Sequence, residues 1–371
     1  MKKTFIGLII VIVVICVIII GRNNNKDIIK IGFIGPFSGD AATYGETEKN
    51  ATELALKKIQ NSPEYRNQTI QIVYEDGGCN AKTAISAAQK LIEVDKVSII
   101  FGGICSGETL AVAPLAEKSH VLLFSAYSSS PDITTAGDYV FRNGPSDLAG
   151  ASKDAEFLSK RYAKVGIVSE NAEYSVGVRN ALKNELEKKG IQIVFDEMYV
   201  TGTRDFRTIL GKVNSTGPDV IYYNAGTSPL DAVSLLKQAR EIGIKTPAHF
   251  NFFLGNPDVI KSLGDLAEGV GFADTSSLKN SGEILLDEYV VLYGAPSNEY
   301  ELGAAYDRVF ITMQALNKVG NNSEKIKNYL YNMPTYHGTV GDYQFDSNGD
   351  IVGAGYKSYV IKNGEKVPVD N

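Results

Sequence analysis

Two short runs hold the residue types best suited to chemistry. Gly103-Ile-Cys-Ser-Gly107 follows the apolar run Val97-Ser-Ile-Ile-Phe101, and Ser125-Ala-Tyr-Ser-Ser-Ser-Pro-Asp-Ile-Thr134 follows Val121-Leu-Leu-Phe124. A strand, then glycine–x–nucleophile–x–glycine, then a helix is the layout of a nucleophile elbow, here with cysteine. A triad would need an acid and then a histidine downstream; only His249 and His337 qualify, and His249 sits near the end of an apolar strand, where a lone histidine is more often structural. The second run permits other chemistry. Serine hydroxyls and free backbone N–H groups at the carboxyl end of a strand suit a small anion, although Ser, Pro and Asp are also ordinary turn formers.

Other chemistries find little support. Gly32, Gly35 and Gly39 do not make a dinucleotide fingerprint, and no P-loop lysine pattern exists. His120, His249 and His337 have no ligand spacing, so no metal centre is expected. Asp346-Ser-Asn-Gly-Asp350 lacks the position-six glycine and distal glutamate of a calcium loop, and Asn348-Gly349 reads better as a hairpin turn. No cofactor is expected. A net charge of −6 gives no support to nucleic-acid binding. The 20 tyrosines and 15 phenylalanines supply apolar area, the tyrosines with a hydroxyl attached, which suits a binding surface.

The elements that must carry these runs alternate. Ile29–Ile34, Ile70–Tyr74, Val97–Phe101 and Val121–Phe124 read as buried strands. Between them, helical spacing begins near Glu46, continues through Ala81, Ala84, Ile85, Ala88, Leu91 and Ile92, and recurs over Glu108–Lys118. The same β-α alternation restarts near Ala149 and runs to about Phe253, so the chain is expected to form two α/β lobes, each a doubly wound sheet. After Ala273 come three helical stretches, then the hairpin and a closing strand, Tyr356–Ile361. Ligands of such sheets bind beyond the carboxyl ends of the strands. Those ends carry Pro36–Gly39, Gly102–Gly107, Ser125–Ser130, Glu170-Asn171 and Asn224–Ser228.

Met1-Lys-Lys precedes an uninterrupted apolar run to Gly21, an export signal or membrane anchor. No small-x-small cleavage site follows, and bulky residues precede Cys16, so an uncleaved anchor is favoured over a lipoprotein signal, with a polar tether to about Asp27. The folded part is then expected outside the cytoplasm, where Cys79 and Cys105 are permitted to pair. A Cys105 held in a disulfide cannot be a nucleophile.

Lys30-Ile-Gly-Phe-Ile-Gly-Pro-Phe-Ser-Gly39 with Tyr44-Gly45, Cys105-Ser-Gly-Glu-Thr109, Ala113-Pro-Leu-Ala-Glu117 and Ser125–Thr134 resemble, in that order, the leucine/isoleucine/valine-binding protein family. These are type I periplasmic binding proteins that deliver solutes to ABC importers. The resemblance implies two lobes joined by three crossovers, residues 28–148 with 275–337 and residues 149–274 with 338–371, closing on a small ligand. It implies a first-lobe cradle of Ser106, the Tyr127 backbone and the Ser129 hydroxyl around a carboxylate, with Tyr44 beside it. Tyr174 would close from the second lobe, with Thr227 or Ser228 nearby, and Cys79 would pair with Cys105. Where amino-acid-binding members place an acid against the ligand's ammonium, this chain has Phe252; Glu170 or Asp274 would have to substitute, or the ligand lacks an amine. The expected function is a substrate-binding protein that hands an amino acid or related carboxylate to an ABC permease, without enzymatic chemistry. A ligand-sensing receptor on the same fold and a cysteine hydrolase are the alternatives.

Overall fold

The structure is a computed structural model describing residues 28–63, 69–226, 228–275, 278–353 and 355–369. The expected anchor, residues 1–27, lies outside the described residues; among them no helix is long and apolar enough to cross a membrane.

The first half runs β1 (Ile28–Gly35), α1 (Ala42–Gln60), β2 (Thr69–Asp76), α2 (Ala81–Glu93), β3 (Ile99–Phe101), α3 (Ser106–Ser119), β4 (Leu122–Ser125) and β5 (Val140–Arg142). These strands form one parallel sheet in the order β2-β1-β3-β4-β5. Every residue of β3 and β4 is buried, as a sheet covered on both faces requires.

The pattern then repeats as α4 (Asp147–Ser159), β6 (Lys164–Glu170), α5 (Glu173–Lys188), β7 (Gln192–Tyr199), α6 (Arg207–Ser215), β8 (Val220–Asn224), α7 (Pro229–Glu241), β9 (Ala248–Phe250), α8 (Pro257–Leu263) and β10 (Gly271–Thr275). The chain continues with α9 (Gly282–Tyr293), α10 (Glu299–Val319), α11 (Ser323–Tyr331), β11 (Tyr336–Gly338), β12 (Gly341–Phe345), β13 (Ile351–Val352), β14 (Tyr356–Lys362) and β15 (Glu365–Pro368). The second sheet has the order β15-β14-β10-β9-β8-β6-β7, with β14 and β15 antiparallel at one edge.

Each sheet has a core on both faces. In the first, α1 and α10 pack on one face and α2 and α3 on the other. The segment 338–371 divides. Tyr343, Phe345 and Ile351 are buried in the first core, whereas Tyr359 and Ile361 are buried in the second. The expected hairpin at Asn348-Gly349 is present: β12 pairs with β13, and Asp346 accepts the N–H groups of Asn348 and Asp350.

Charged groups are also built into these cores. Arg308 of α10 and Glu48 of α1, both fully buried, pair at 2.8 Å, and the guanidinium lies 4.5 Å from the Phe101 ring centroid. Asp307 accepts from the Thr339 N–H at 2.9 Å and the Thr339 hydroxyl at 3.0 Å, tying α10 to the start of the hairpin. Burial pushes Asp307 up to about 7 despite these bonds. Glu108 of α3 is likewise raised to about 7 by burial, and Asp231 of α7 to about 6.

A carboxyl whose folded pKa exceeds its unfolded value binds a proton more tightly when folded. Its contribution is fully present below the unfolded value, near 4, and is lost as pH rises through the folded value, about 6 to 7 here. The urea midpoint is therefore expected to be higher at pH 5 than at pH 8. Denaturation curves at the two values check this, and a midpoint that rises with pH would contradict it.

Candidate functional site

Each sheet has a switch point where strand order reverses, between β1 and β3 in the first and between β6 and β8 in the second. Loops leaving the carboxyl ends beside both switch points face one another. They enclose a cavity lined by Ala41, Tyr44, Cys79, Ile104, Cys105, Ser106, Gly107, Tyr127 and Ser129 from the first lobe and Ala172, Glu173, Tyr174, Gly226, Phe252 and Phe253 from the second. This is where open α/β sheets bind ligands.

The first-lobe wall is held from behind. Cys79 and Cys105 are joined by a disulfide. The buried Glu108 carboxylate accepts the backbone N–H groups of Cys79 (2.9 Å), Ile104 (3.0 Å) and Cys105 (3.1 Å), which locks the turn into α3. Ser106 and Gly107, the first residues of α3, then line the cavity, where a helix N-terminus favours negative charge. Gly102, at φ +115, must be glycine, because a Cβ there would lie 2.0 Å from the Ile34 carbonyl oxygen.

The serine run is divided between support and site. Ser125 donates to the Gly103 carbonyl (2.7 Å), and Ser128 has one hydroxyl proton within reach of two carbonyls, Gly103 (2.8 Å) and Ile104 (3.0 Å). Ser130 donates its N–H to the Ser106 hydroxyl at 3.2 Å. Arg142 fixes the loop. Its guanidinium donates to the carbonyl of Ser130 (2.7 Å) and to the Thr134 hydroxyl (2.9 Å), and it makes a two-pronged pair with Asp350 (2.5 and 2.9 Å).

Ser129 faces the cavity, but its proton is committed. Its hydroxyl donates to Asp147 at 2.9 Å, and the Asp147 N–H returns a bond to the Ser129 carbonyl at 2.8 Å. Tyr356 of β14 also donates to Asp147. Burial raises the Asp147 carboxyl to about 6, against the hydrogen bonds from Tyr356 and Ser129 and the nearby Arg142 charge. A hydroxyl has one proton and two lone pairs, so Ser129 turns acceptor character toward the cavity.

Aromatic rings form the rest of the wall. Tyr44 stacks on Tyr127 with centroids 5.6 Å apart, and Phe252 stacks on Phe253 at 4.6 Å. Phe252 meets Tyr127 and Tyr174 edge-on at 5.8 and 5.9 Å, joining the lobes. The buried Tyr174 hydroxyl has no hydrogen-bond partner of normal geometry among the described residues. Across the cleft mouth, Arg204 pairs with Asp40 at 2.9 Å.

A family model described as periplasmic binding protein matches residues 28–365. The chain belongs to that family. It is 25% identical over 331 residues to the leucine-, isoleucine-, valine-, threonine- and alanine-binding protein of Pseudomonas aeruginosa, covering 88% of this chain and 87% of that one. A branched-chain amino acid transporter substrate-binding protein of Streptococcus pneumoniae, solved with isoleucine, is 25% identical with a TM-score of 0.79, covering 92% of this chain and 100% of that one. An ABC transporter solute-binding protein of Rhodopseudomonas palustris, solved with 3,4-dihydroxybenzoic acid, shares the fold at a TM-score of 0.81 and 21% identity, covering 92% of this chain and 96% of that one.

Within this periplasmic binding protein, Tyr44, Ser106, Tyr127, Ser129, Tyr174 and Phe252 all reach one cavity, and the disulfide borders it. Ser228 does not. It caps α7, accepting the Leu230 N–H at 3.2 Å, because the β8 loop ends there and the helix claims the hydroxyl. Thr227 lies outside the described residues. Asp274 is paired with Lys366 at 3.1 Å and lies beside the cavity rather than in its wall; Glu170 is fully buried behind Gly226. The elbow cysteine is in the disulfide, and His249 is bonded to Asp154 at 2.7 Å in the second-lobe interior, so no triad forms. Sequence reasoning missed Arg142, Asp147, Glu173, Phe253 and Asp350. Ser146-Asp147 carried a signal, a helix cap followed by a first-turn acid. Arg142 and Asp350 carried none, since their pairing joins distant segments.

Removing Asp350 leaves the buried Arg142 charge unpaired, a change that costs about 3 kcal/mol or more in comparable settings. Asp350→Ala is expected to lower unfolding free energy by that order, and Asp350→Asn by less, since the amide still accepts one bond. Urea denaturation of the three proteins checks the ranking.

Proposed function

We propose that this protein is the substrate-binding component of an ABC importer, held outside the cytoplasm by its N-terminal segment, and that its ligand is an amino acid with an apolar side chain. The carrying observation is the bond from Ser129 to Asp147. An ionised Asp147 behind Ser129 repels a carboxylate at that hydroxyl and favours a cation there. The ligand's ammonium therefore sits against the Ser129 oxygen, and its carboxylate against Ser106 and the N-terminus of α3. Asp147 then serves the amine in place of an acid at position 252. Phe252, Phe253, Tyr44 and Tyr127 enclose the apolar side chain. The family, the amino-acid-binding relative and the isoleucine-bound neighbour support this reading.

The enclosed space is about 70 Å³, below the ~150 Å³ that holds benzene in a protein core. An amino acid enters only when rings turn or lobes part. We place the lobe boundaries where the chain passes between sheets: at Gly144–Ser146, after Thr275 and after Gly353. Ligand binding closes the lobes as a population shift.

A second reading has one specific support, Phe252 in the place of an acid. It predicts an amine-free acid, as in the dihydroxybenzoate-bound neighbour. A thermal-shift screen of refolded protein decides between them. Leucine, isoleucine or valine at a hundred times its dissociation constant should add about 2.7 kcal/mol, and the amine-free analogue 4-methylpentanoate little. Asp147→Asn should weaken the amino acid far more than the analogue. Affinity for the amino acid should also fall as pH drops from 7.5 to 5.5, because Asp147, raised to about 6, takes up a proton. Stabilisation by benzoates alone, undiminished in Asp147→Asn, would establish the second reading.

A further inference from the structure

Gly177 lies in the first turns of α5, on its buried side, and faces the other lobe. A Cβ there would lie 2.4 Å from the Ser130 hydroxyl, 3.2 Å from an Asp132 carboxylate oxygen and 3.4 Å from the Pro131 ring. All three belong to the loop that carries the serine run. Its backbone has no positive φ, so conformation does not demand glycine. Helix propensity opposes it, since glycine costs about 1 kcal/mol relative to alanine in a helix interior. Ser130 is fully buried, its N–H is held by Ser106 and its carbonyl by Arg142. The Ser130 backbone cannot retreat, and its hydroxyl accepts the Asp132 N–H at 3.4 Å, so a side chain at 177 must displace that hydroxyl or hold α5 away from it.

We propose that Gly177 is a positioning residue for ligand capture: its missing side chain lets α5 seat against Ser130–Asp132 when the lobes close. The proposal rests on the two-lobe closure reading but not on the identity of the ligand. Closure brings Tyr174 and the N-terminus of α5 to the cavity that Ser106 and Ser129 line. A side chain at 177 holds the lobes apart while leaving every cavity residue unchanged. Gly211 of α6 provides the contrast. It is also a helical glycine, but a Cβ there would meet nothing within 4 Å.

Closure can be read without ligand. Asp40 and Arg204, which pair across the cleft at 2.9 Å, are replaced by cysteines in the full chain. A short bismaleimide then links them only when the lobes meet, and mass spectrometry of the linked peptides gives the rate. Gly177→Leu is expected to slow linking tenfold or more, as overpacking at a tight contact does. Gly177→Ala should slow it less, with a melting temperature equal to or above the parent's. Gly211→Leu should link at the parent rate. Parent-rate linking in Gly177→Leu would overturn the proposal. So would a parent pair that never links, or equal slowing in Gly211→Leu. If leucine fails to bind any of these proteins while the linking rates follow the expected order, the ligand assignment fails and the closure role stands.

Discussion

The fork of Arg142 onto Asp350 is the constraint on which the site depends. One guanidinium, at the end of a three-residue strand, spends its donors on the serine loop and on a hairpin some two hundred residues later. The hairpin answers with the Gly349 carbonyl, which accepts the Arg142 N–H at 3.0 Å. A buried charge is tolerable only when paired and bonded, so the loop, the strand and the hairpin must adopt their places together. The cradle is thus rigid although it is made of loop, because a buried ion organises its backbone.

That rigidity gives Ser129 a fixed neighbour. Asp147 stands at the start of α4, where the chain first leaves the first lobe, and Tyr356 stands where it finally returns to the second. The site's polarity is therefore set where the chain passes between the two sheets rather than in the cleft. One hydroxyl proton, given to Asp147, leaves the serine oxygen an acceptor toward the cavity. The residue types of the cradle were legible in the chain, but the direction of this proton was not. Ser129 read alone is a donor to a carboxylate; beside a buried aspartate it becomes an acceptor.

The fold was legible where period and length agree. The strands Ile29–Ile34 and Tyr356–Ile361 are long apolar or alternating runs, and they recur as β1 and β14 within a residue or two. What escaped was short. β5 has three residues and β15 has four, lengths at which an apolar pair in a loop looks the same. The β-α alternation expected to run to about Phe253 closes earlier, in the strand Ala248–Phe250. The chain then turns through Phe252–Gly255 as a single 3-10 turn, which swings Phe252 and Phe253 into the cleft. Phe253 is buried and Phe252 half-buried there, and their partners are the cavity rings Tyr44, Tyr127 and Tyr174 and not a sheet neighbour.

The glycine at 177 shows the same limit from the other side. Read locally it is a flaw in a good helix, and propensity alone would replace it with alanine. Its reason lies across the cleft, in a serine fixed by Ser106 and Arg142. A two-lobe receptor must satisfy two packings, one open and one closed, and some residues answer only to the second. Such positions look suboptimal in either lobe taken alone. They become intelligible once stability is weighed against a contact that exists only part of the time.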